Sequence, residues 1–307
     1  RPPEPKEQAR RCARRGFRDS AVDKRAASPY TPLPMKTPHT WIDSKEQLPA
    51  LGEALARAPW IALDTEGNSM FVYRERVCLV QLNVGGELYV VDPLALEAPT
   101  EQAASPALEP LRAALEDPAK VKFLHGGEYD VATIKRDYGI RLAGVWDSQQ
   151  AATFLGWERT GYGAAVERVC QVKLEKAYSQ HDWGRRPIDA EPLAYALDDV
   201  VYLPQVCQRL QELVREADLE DEVAIANRTL EEASWSGGFD PDGVYHLKDA
   251  RTLDPRGLKL LLALHHWRDG VARELDRPAG MLINDRVLVS IANSRPDDVP
   301  GLKRHGL

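Results

Sequence analysis

Asp64 and Glu66 in WIALDTEG, Asp130 in KFLHGGEYDV, and Tyr195 with Asp199 in LAYALDDVVYL are the residues whose types and spacing could do chemistry in this chain. A strand sends alternate side chains to one face, so Asp64 and Glu66 point the same way; a helix does so at i and i+4, which sets Tyr195 beside Asp199. Gathered into one pocket, the four carboxylates suit two divalent cations, Mg²⁺ or Mn²⁺, because hard ions take oxygen ligands and leave room for water and a substrate phosphate. Two such ions roughly 4 Å apart can clamp the attacking and leaving oxygens of an in-line phosphodiester displacement. Without cations the acids repel one another and some take up protons. The Tyr195 hydroxyl stands where it can position the attacking water.

The elements that must position these groups are readable from periodicity. A polar start at Ser44 leads into EQLPALGEALARA, apolar at helical spacing and stopped by Pro59. Trp60–Leu63 reads as a short strand ending at the first carboxylate. Val77–Leu82 and Leu88–Val91 are β-rich and separated by Asn83-Val84-Gly85-Gly86, a hairpin signal. Helices are expected near Leu108–Leu115, from Glu128, from Ser148 and near Ala164, with strands at 121–124 and Val145-Trp146. One long helix should carry Tyr195 to Glu216, and a second helical run should span about Glu220–Trp235. Hairpins first and alternation later imply an α/β fold with a mixed sheet and helices on its faces.

Composition restricts the possible settings. At 307 residues the chain is long enough for two domains. Cys12, Cys78, Cys170 and Cys207 show no metal-ligand pairing, so free thiols in a reducing compartment are expected. No apolar run approaches the roughly 18 residues of a membrane span, and no signal peptide is evident, so the cytoplasm is the expected location. The net charge of −7 is unevenly spread: residues 1–34 carry +5, residues 249–307 carry +2 and the stretch between carries −14. Total charge therefore neither supports nor excludes a nucleic-acid partner, since phosphate contacts depend on local surface. Residues 1–38, rich in Pro and Arg, read as disordered, either a basic nucleic-acid arm or solvated sequence upstream of a start at Met35.

Neighbours of the acids carry competing readings. His125 would touch a phosphate or simply pack at a strand end. Asp198 turns about 100° away from Asp199 on a helix and is expected in solvent rather than on a metal. Asp92, before Pro93, should cap a turn. Arg185 and Arg186 in DWGRRPI would bind phosphate or form ion pairs, phosphate contact being the reading taken because they lie just before the third motif. Phe71, Tyr73 and Arg74, in a loop after the first acidic pair, would either stack on a terminal nucleotide or pack.

These segments resemble the three motifs of the DEDD exonucleases in their tyrosine-containing subclass, and most closely the ribonuclease D family. FLHGGEYDV, VCLVQLNVGGELYVVDPL, WDSQQAATFLG and QHDWGRRPIDAEPLAYALDDVVYLPQV carry the likeness, over about Trp41–Leu210. The resemblance implies a ribonuclease H-like 3′–5′ exonuclease fold over residues 39–218. It also implies an activity, release of 5′-mononucleotides from RNA 3′ ends such as those of tRNA precursors. Asp64 would contact both metals, Glu66 and Asp199 would favour the nucleophile-side ion, and Asp130 would hold the second directly or through water. Residues 219–248 are expected to form a helical linker. Residues 249–307 resemble the all-α HRDC domain, with helices entered at Asp254-Pro255 and near Asn284, and read as an incomplete copy. There Lys259, Arg268 and Arg273 would offer a basic surface, and Leu258, Leu261, Leu262 and Leu264 a core face. RNA grip would be this module's task, leaving hydrolysis of short oligonucleotides independent of it. The alternatives are a DNA exonuclease of proofreading or Werner type and a catalytically silent RNA-binding protein; oligomeric state is left open.

Overall fold

The computed structural model describes residues 38–96, 108–175 and 177–306. The basic segment before Pro38 and Cys12 within it lie outside these residues. The described residues form a six-stranded mixed sheet in the order β1-β4-β3-β2-β5-β6. The strands are β1 (Thr40–Ile42), β2 (Trp60–Gly67), β3 (Val77–Val84), β4 (Glu87–Val91), β5 (Val121–Leu124) and β6 (Val145–Asp147). β2 pairs antiparallel with β3 and parallel with β5, so the strand bearing the first two acids lies inside the sheet. It does not stop at Asp64, as expected from its apolar start, but runs through Glu66 to a register shift between Glu66 and Gly67. β1, which the sequence reading passed over, pairs parallel with β4 at the opposite edge from β6.

The hairpin forms where the glycines predict it. Gly85 and Gly86 both adopt positive φ, 61° and 109°, and the Asn83 side chain accepts from Gly86 N at 3.0 Å. Every residue of β3 is buried. Val80, Leu82 and Val84 face one core with Ile61 and Leu63. Leu79 belongs to the other side, where Ala196 and Leu197 pack.

Helices cover both faces. α1 (Leu48–Arg57) buries Leu48, Leu51, Ala54 and Leu55, the stripe that helical spacing gave it. α2 (Pro93–Leu96) is a single turn, and α3 (Glu109–Leu115) precedes β5. α4 (Glu128–Tyr138) buries Val131 and Ile134 in the Leu63 core. α5 (Ser148–Phe154) and α6 (Tyr162–Cys170) build a second cluster with Val206 and Leu210. The long helix expected over Tyr195–Glu216 is two: α7 (Ala190–Val201) and α8 (Leu203–Glu216). Pro204 has no N–H to donate, so it suits the first turn of a new helix better than the interior of a continuous one. The segment expected to be a linker supplies α9 (Glu220–Glu231), which lies along β6: Glu231 Oε1 accepts from Val145 N at 2.8 Å and Asn227 Oδ1 from Asp147 N at 3.1 Å.

The C-terminal helices are α10 (Pro255–Leu275), α11 (Ala279–Leu282), α12 (Asp285–Ser294) and α13 (Val299–Lys303). Asp254 caps α10 by accepting from Gly257 N at 2.7 Å, and Asn284 caps α12 through Val287 N at 3.1 Å. Leu261, Leu288, Val289 and Ala292 form their core, with Leu258, Leu262 and Leu264 against it. The expected basic surface is thinner than its sequence suggests. Arg268 is buried, donating to Ile283 O at 2.6 Å and pairing with Asp285 at 2.8 Å; Arg273 is drawn to Asp269 at 2.8 Å, and Lys259 alone of the three is exposed without an ion pair among the described residues.

Asp92 does cap its turn, accepting from Leu94 N and Ala95 N, but it also holds Arg186. Arg186 Nε and Nη2 reach the two Asp92 oxygens at 2.6 and 2.8 Å, and Nη2 and Nη1 donate to the carbonyls of Cys78 and Trp183. Arg186 is thus committed to a bidentate pair rather than to phosphate. Because the Asp92 side chain is 4% exposed, Arg186→Met strands a buried carboxylate and should cost about 3 kcal/mol in urea unfolding. The exposed Arg185→Met should stay within about 0.5 kcal/mol of the parent.

Candidate active site

Three elements bring the acids together. Asp64 and Glu66 project from β2 on the face where α7 packs, and α7 brings Asp199 to them. One carboxylate oxygen from each of Asp64, Glu66 and Asp199 lies within 4.8 Å of the others. Asp130 lies outside this trio and approaches from the first turn of α4. Thr65 shares the Leu63 face of β2 with α4, and its hydroxyl donates to Asp130 Oδ1 at 2.5 Å. One Asp130 oxygen is therefore occupied by the residue between the two strand acids.

The turn that aims α4 depends on backbone freedom. Gly126 has φ +67°, and a Cβ on Gly127 would lie 2.7 Å from Leu124. Asp147, fully buried, fixes this turn: Oδ2 accepts from Gly127 N at 2.9 Å and Oδ1 from Gln150 N at 2.9 Å. One carboxylate thus caps two helices next to the site. The Gln150 amide, three residues on, is an ordinary cap partner of Asp147, but the Gly127 amide, 20 positions away, is not predictable from spacing.

Electrostatics mark the trio. Burial, then repulsion from Asp130, Asp199 and Glu66, lifts the Asp64 carboxyl well above its usual range. Glu66 is pushed up to about 9 by burial and by Asp199 and Asp130. Asp199 rises to about 7, from burial and then Asp198 and Asp130. Asp130 reaches about 6, burial being opposed by the Thr65 hydrogen bond. Oxygen donors so crowded fit a hard divalent cation, which replaces mutual repulsion with attraction. Burial and the three acids raise Tyr195 to about 12, so its hydroxyl keeps its proton near neutrality.

The flanking residues divide. His125 is packed rather than free: its Nδ1 lies 2.8 Å from Ser148 Oγ, which donates onward to Leu124 O, and burial lowers its pKa. Asp198 is half-buried instead of solvent-exposed, and burial lifts it to about 6. Phe71 is half-buried; the Tyr73 hydroxyl donates to Asp269 Oδ1 of α10 at 2.6 Å, so Tyr73 faces the C-terminal helices. Arg185 is exposed, with no ion pair among the described residues. Tyr162 has no sequence signal as a site residue, lying at the start of the helix expected near Ala164. Its hydroxyl donates to the Asp198 carbonyl at 3.0 Å, its ring stands 5.2 Å from His125, and burial followed by the nearby Asp199 raises its pKa.

The raised carboxyls set a pH dependence. Each holds a proton in the folded chain that it would release on unfolding, so stability present near pH 4 is lost as pH rises through about 6, 7 and 9 for Asp130, Asp199 and Glu66. In EDTA, the Tm should fall by roughly 5 °C or more between pH 5 and 9, and Mg²⁺ should recover it at pH 8. Asp64→Asn should flatten the dependence. Differential scanning fluorimetry checks this, and a metal-free Tm that rises across the window would contradict the acid cluster.

Comparison with known proteins agrees with this geometry. A 3′–5′ exonuclease domain family matches residues 39–215, and the HRDC domain matches residues 257–306. Ribonuclease D of Gluconacetobacter diazotrophicus is 32% identical over 266 residues, covering 86% of this chain and 65% of that protein. The chain spans less than two thirds of that relative and as little as 30% of others it matches. Among solved structures, the catalytic core of RRP6 from Trypanosoma brucei superposes with a TM-score of 0.79 at 28% identity, covering 90% of this chain and 76% of that one. Escherichia coli RNase D gives 0.70 at 29% identity, covering 88% and 70%. The acids, the sheet that presents them and the helical module behind them thus place the chain in the ribonuclease D family of 3′–5′ exonucleases, with a C-terminal HRDC domain.

Proposed function

We propose that the chain is a metal-dependent 3′–5′ exoribonuclease that releases 5′-mononucleotides from RNA 3′ ends, tRNA precursors among them. The observation that carries this reading is the convergence of Asp64, Glu66 and Asp199 within 4.8 Å, one helical turn from Tyr195. RNA is favoured over DNA because the similar Escherichia coli protein is an exoribonuclease involved in structured RNA processing. Residues 39–218 supply the chemistry in this reading, and residues 249–307 assist with substrate.

Asp64, Glu66 and Asp199 would hold Mg²⁺ or Mn²⁺, with Asp130 serving a second ion directly or through water. Such ions, when bound, stabilise charge on the attacking and leaving oxygens of the phosphodiester. Tyr195, kept protonated, orients water as a hydrogen-bonding group rather than as a base. Thr65 holds Asp130 in one orientation. Exposed Arg185 is available to a phosphate, whereas Arg186 is held by Asp92.

With end-labelled RNA and matched DNA, each with and without Mg²⁺ or Mn²⁺, Asp64→Asn and Asp199→Asn should each lower turnover on the order of 10³-fold with the fold intact by circular dichroism. Tyr195→Phe should retain part of the activity, and Asp198→Asn should show no comparable loss. A 3′-phosphate should slow RNA degradation strongly. Near-native turnover by folded Asp64→Asn, or internal cuts in a circular RNA, would overturn the assignment; preference for DNA would favour the proofreading-type alternative.

A further inference from the structure

The loop that leaves β2 immediately after the catalytic strand, Asn68–Arg76, is fastened at three places. At its base, Asn68 Oδ1 accepts from Arg76 N at 2.9 Å. On its returning limb, Glu75 pairs with Arg136 of α4 at 2.5 Å. Its tip is fastened to α10. The Tyr73 hydroxyl donates to Asp269 Oδ1 at 2.6 Å, and the backbone N–H groups of Tyr73 and Arg74 donate to Asp276 Oδ1 at 3.1 and 3.2 Å. Arg273 adds a hydrogen bond to Asp269 Oδ2 at 2.8 Å and lies over the Tyr73 ring. Asp269 is buried, and Asp276 ends α10 in the left-handed region at φ 47°. Between base and tip the loop presents Met70, 43% exposed, and half-buried Phe71.

We infer that Asp269 and Asp276 are positioning residues for the exonuclease site: the C-terminal module holds the loop after Glu66 in one place so that it can seat the terminal nucleotide. The inference rests on the exoribonuclease reading. An unheld loop of nine residues samples many conformations, and a substrate binding to it must bear the ordering cost each time. Contacts from α10 remove that cost in advance. This revises the expectation that a short oligonucleotide is handled without help from the module.

The test uses the full chain. Asp276→Gly suits the left-handed backbone but removes the acceptor, whereas Asp276→Asn keeps an acceptor while losing the charge. In Asp276→Gly, amide hydrogen exchange over residues 69–76 should accelerate about tenfold, and KM for a short single-stranded RNA should rise about tenfold with kcat within about twofold. Asp276→Asn should restore both quantities to within about twofold of the parent. Unchanged exchange or unchanged KM in Asp276→Gly overturns the inference; so does a KM rise without faster exchange, since RNA would then be touching Asp276 itself. Absence of metal-dependent RNA degradation by the unaltered chain overturns the exoribonuclease reading and the inference with it, whereas normal activity in an indifferent Asp276→Gly overturns the inference alone.

Discussion

Repulsion among buried carboxylates is the constraint around which this molecule is organised. Asp130, Asp199 and Glu66 raise the pKa of Asp64, Asp199 and Asp130 raise that of Glu66, and Asp130 raises that of Asp199, so left to themselves these acids would separate. They are held by elements that cannot easily move: a strand inside the sheet and helices packed on its two faces. Thr65 is the small device that links the faces. It lies between Asp64 and Glu66 yet points the other way, and its hydroxyl joins Asp130 to the strand. Stability is given up at the acids and regained in the surrounding core, a common arrangement at functional sites.

Charge is distributed to match. The acidic middle of the sequence carries −14, so phosphate attraction cannot come from net charge. Several arginines that look available are already engaged: Arg186 with Asp92, Arg136 with Glu75 and Asp137, Arg268 with Asp285. They act as internal connectors, joining segments far apart in the chain. What remains for a nucleic acid is a smaller set of exposed groups, and metal at the acids supplies positive charge where the reaction would occur.

The site was largely legible in the sequence, because periodicity alone places Asp64 with Glu66 and Tyr195 with Asp199, and Gly-Gly marks the hairpin. Helix entries at Asp254 and Asn284 were equally plain, since a cap's partner is three residues away. What escaped depended on distance along the chain. Asp92 and Arg186 are 94 positions apart, and Tyr73 is 196 from Asp269. β1 is three residues long and gains its identity only by pairing with β4. The division between α7 and α8 was hidden because the apolar period continues through Tyr202 while Pro204 alone signals a new start. Asp198 was expected in solvent by rotation from Asp199, but the neighbouring layer half-covers it.

The helix α9 along β6 has a consequence for how the chain behaves among copies of itself. A sheet's outermost strand ordinarily offers a row of unused amide groups to any extended segment that passes, the usual starting point for intermolecular β-pairing. Here Glu231 and Asn227 take the amides of Val145 and Asp147, so the border of the sheet is closed by side chains instead of by another strand. A fragment cut at residue 218 would keep every metal-site acid and lose this closure, and it would leave behind a surface that recruits other chains into aggregates.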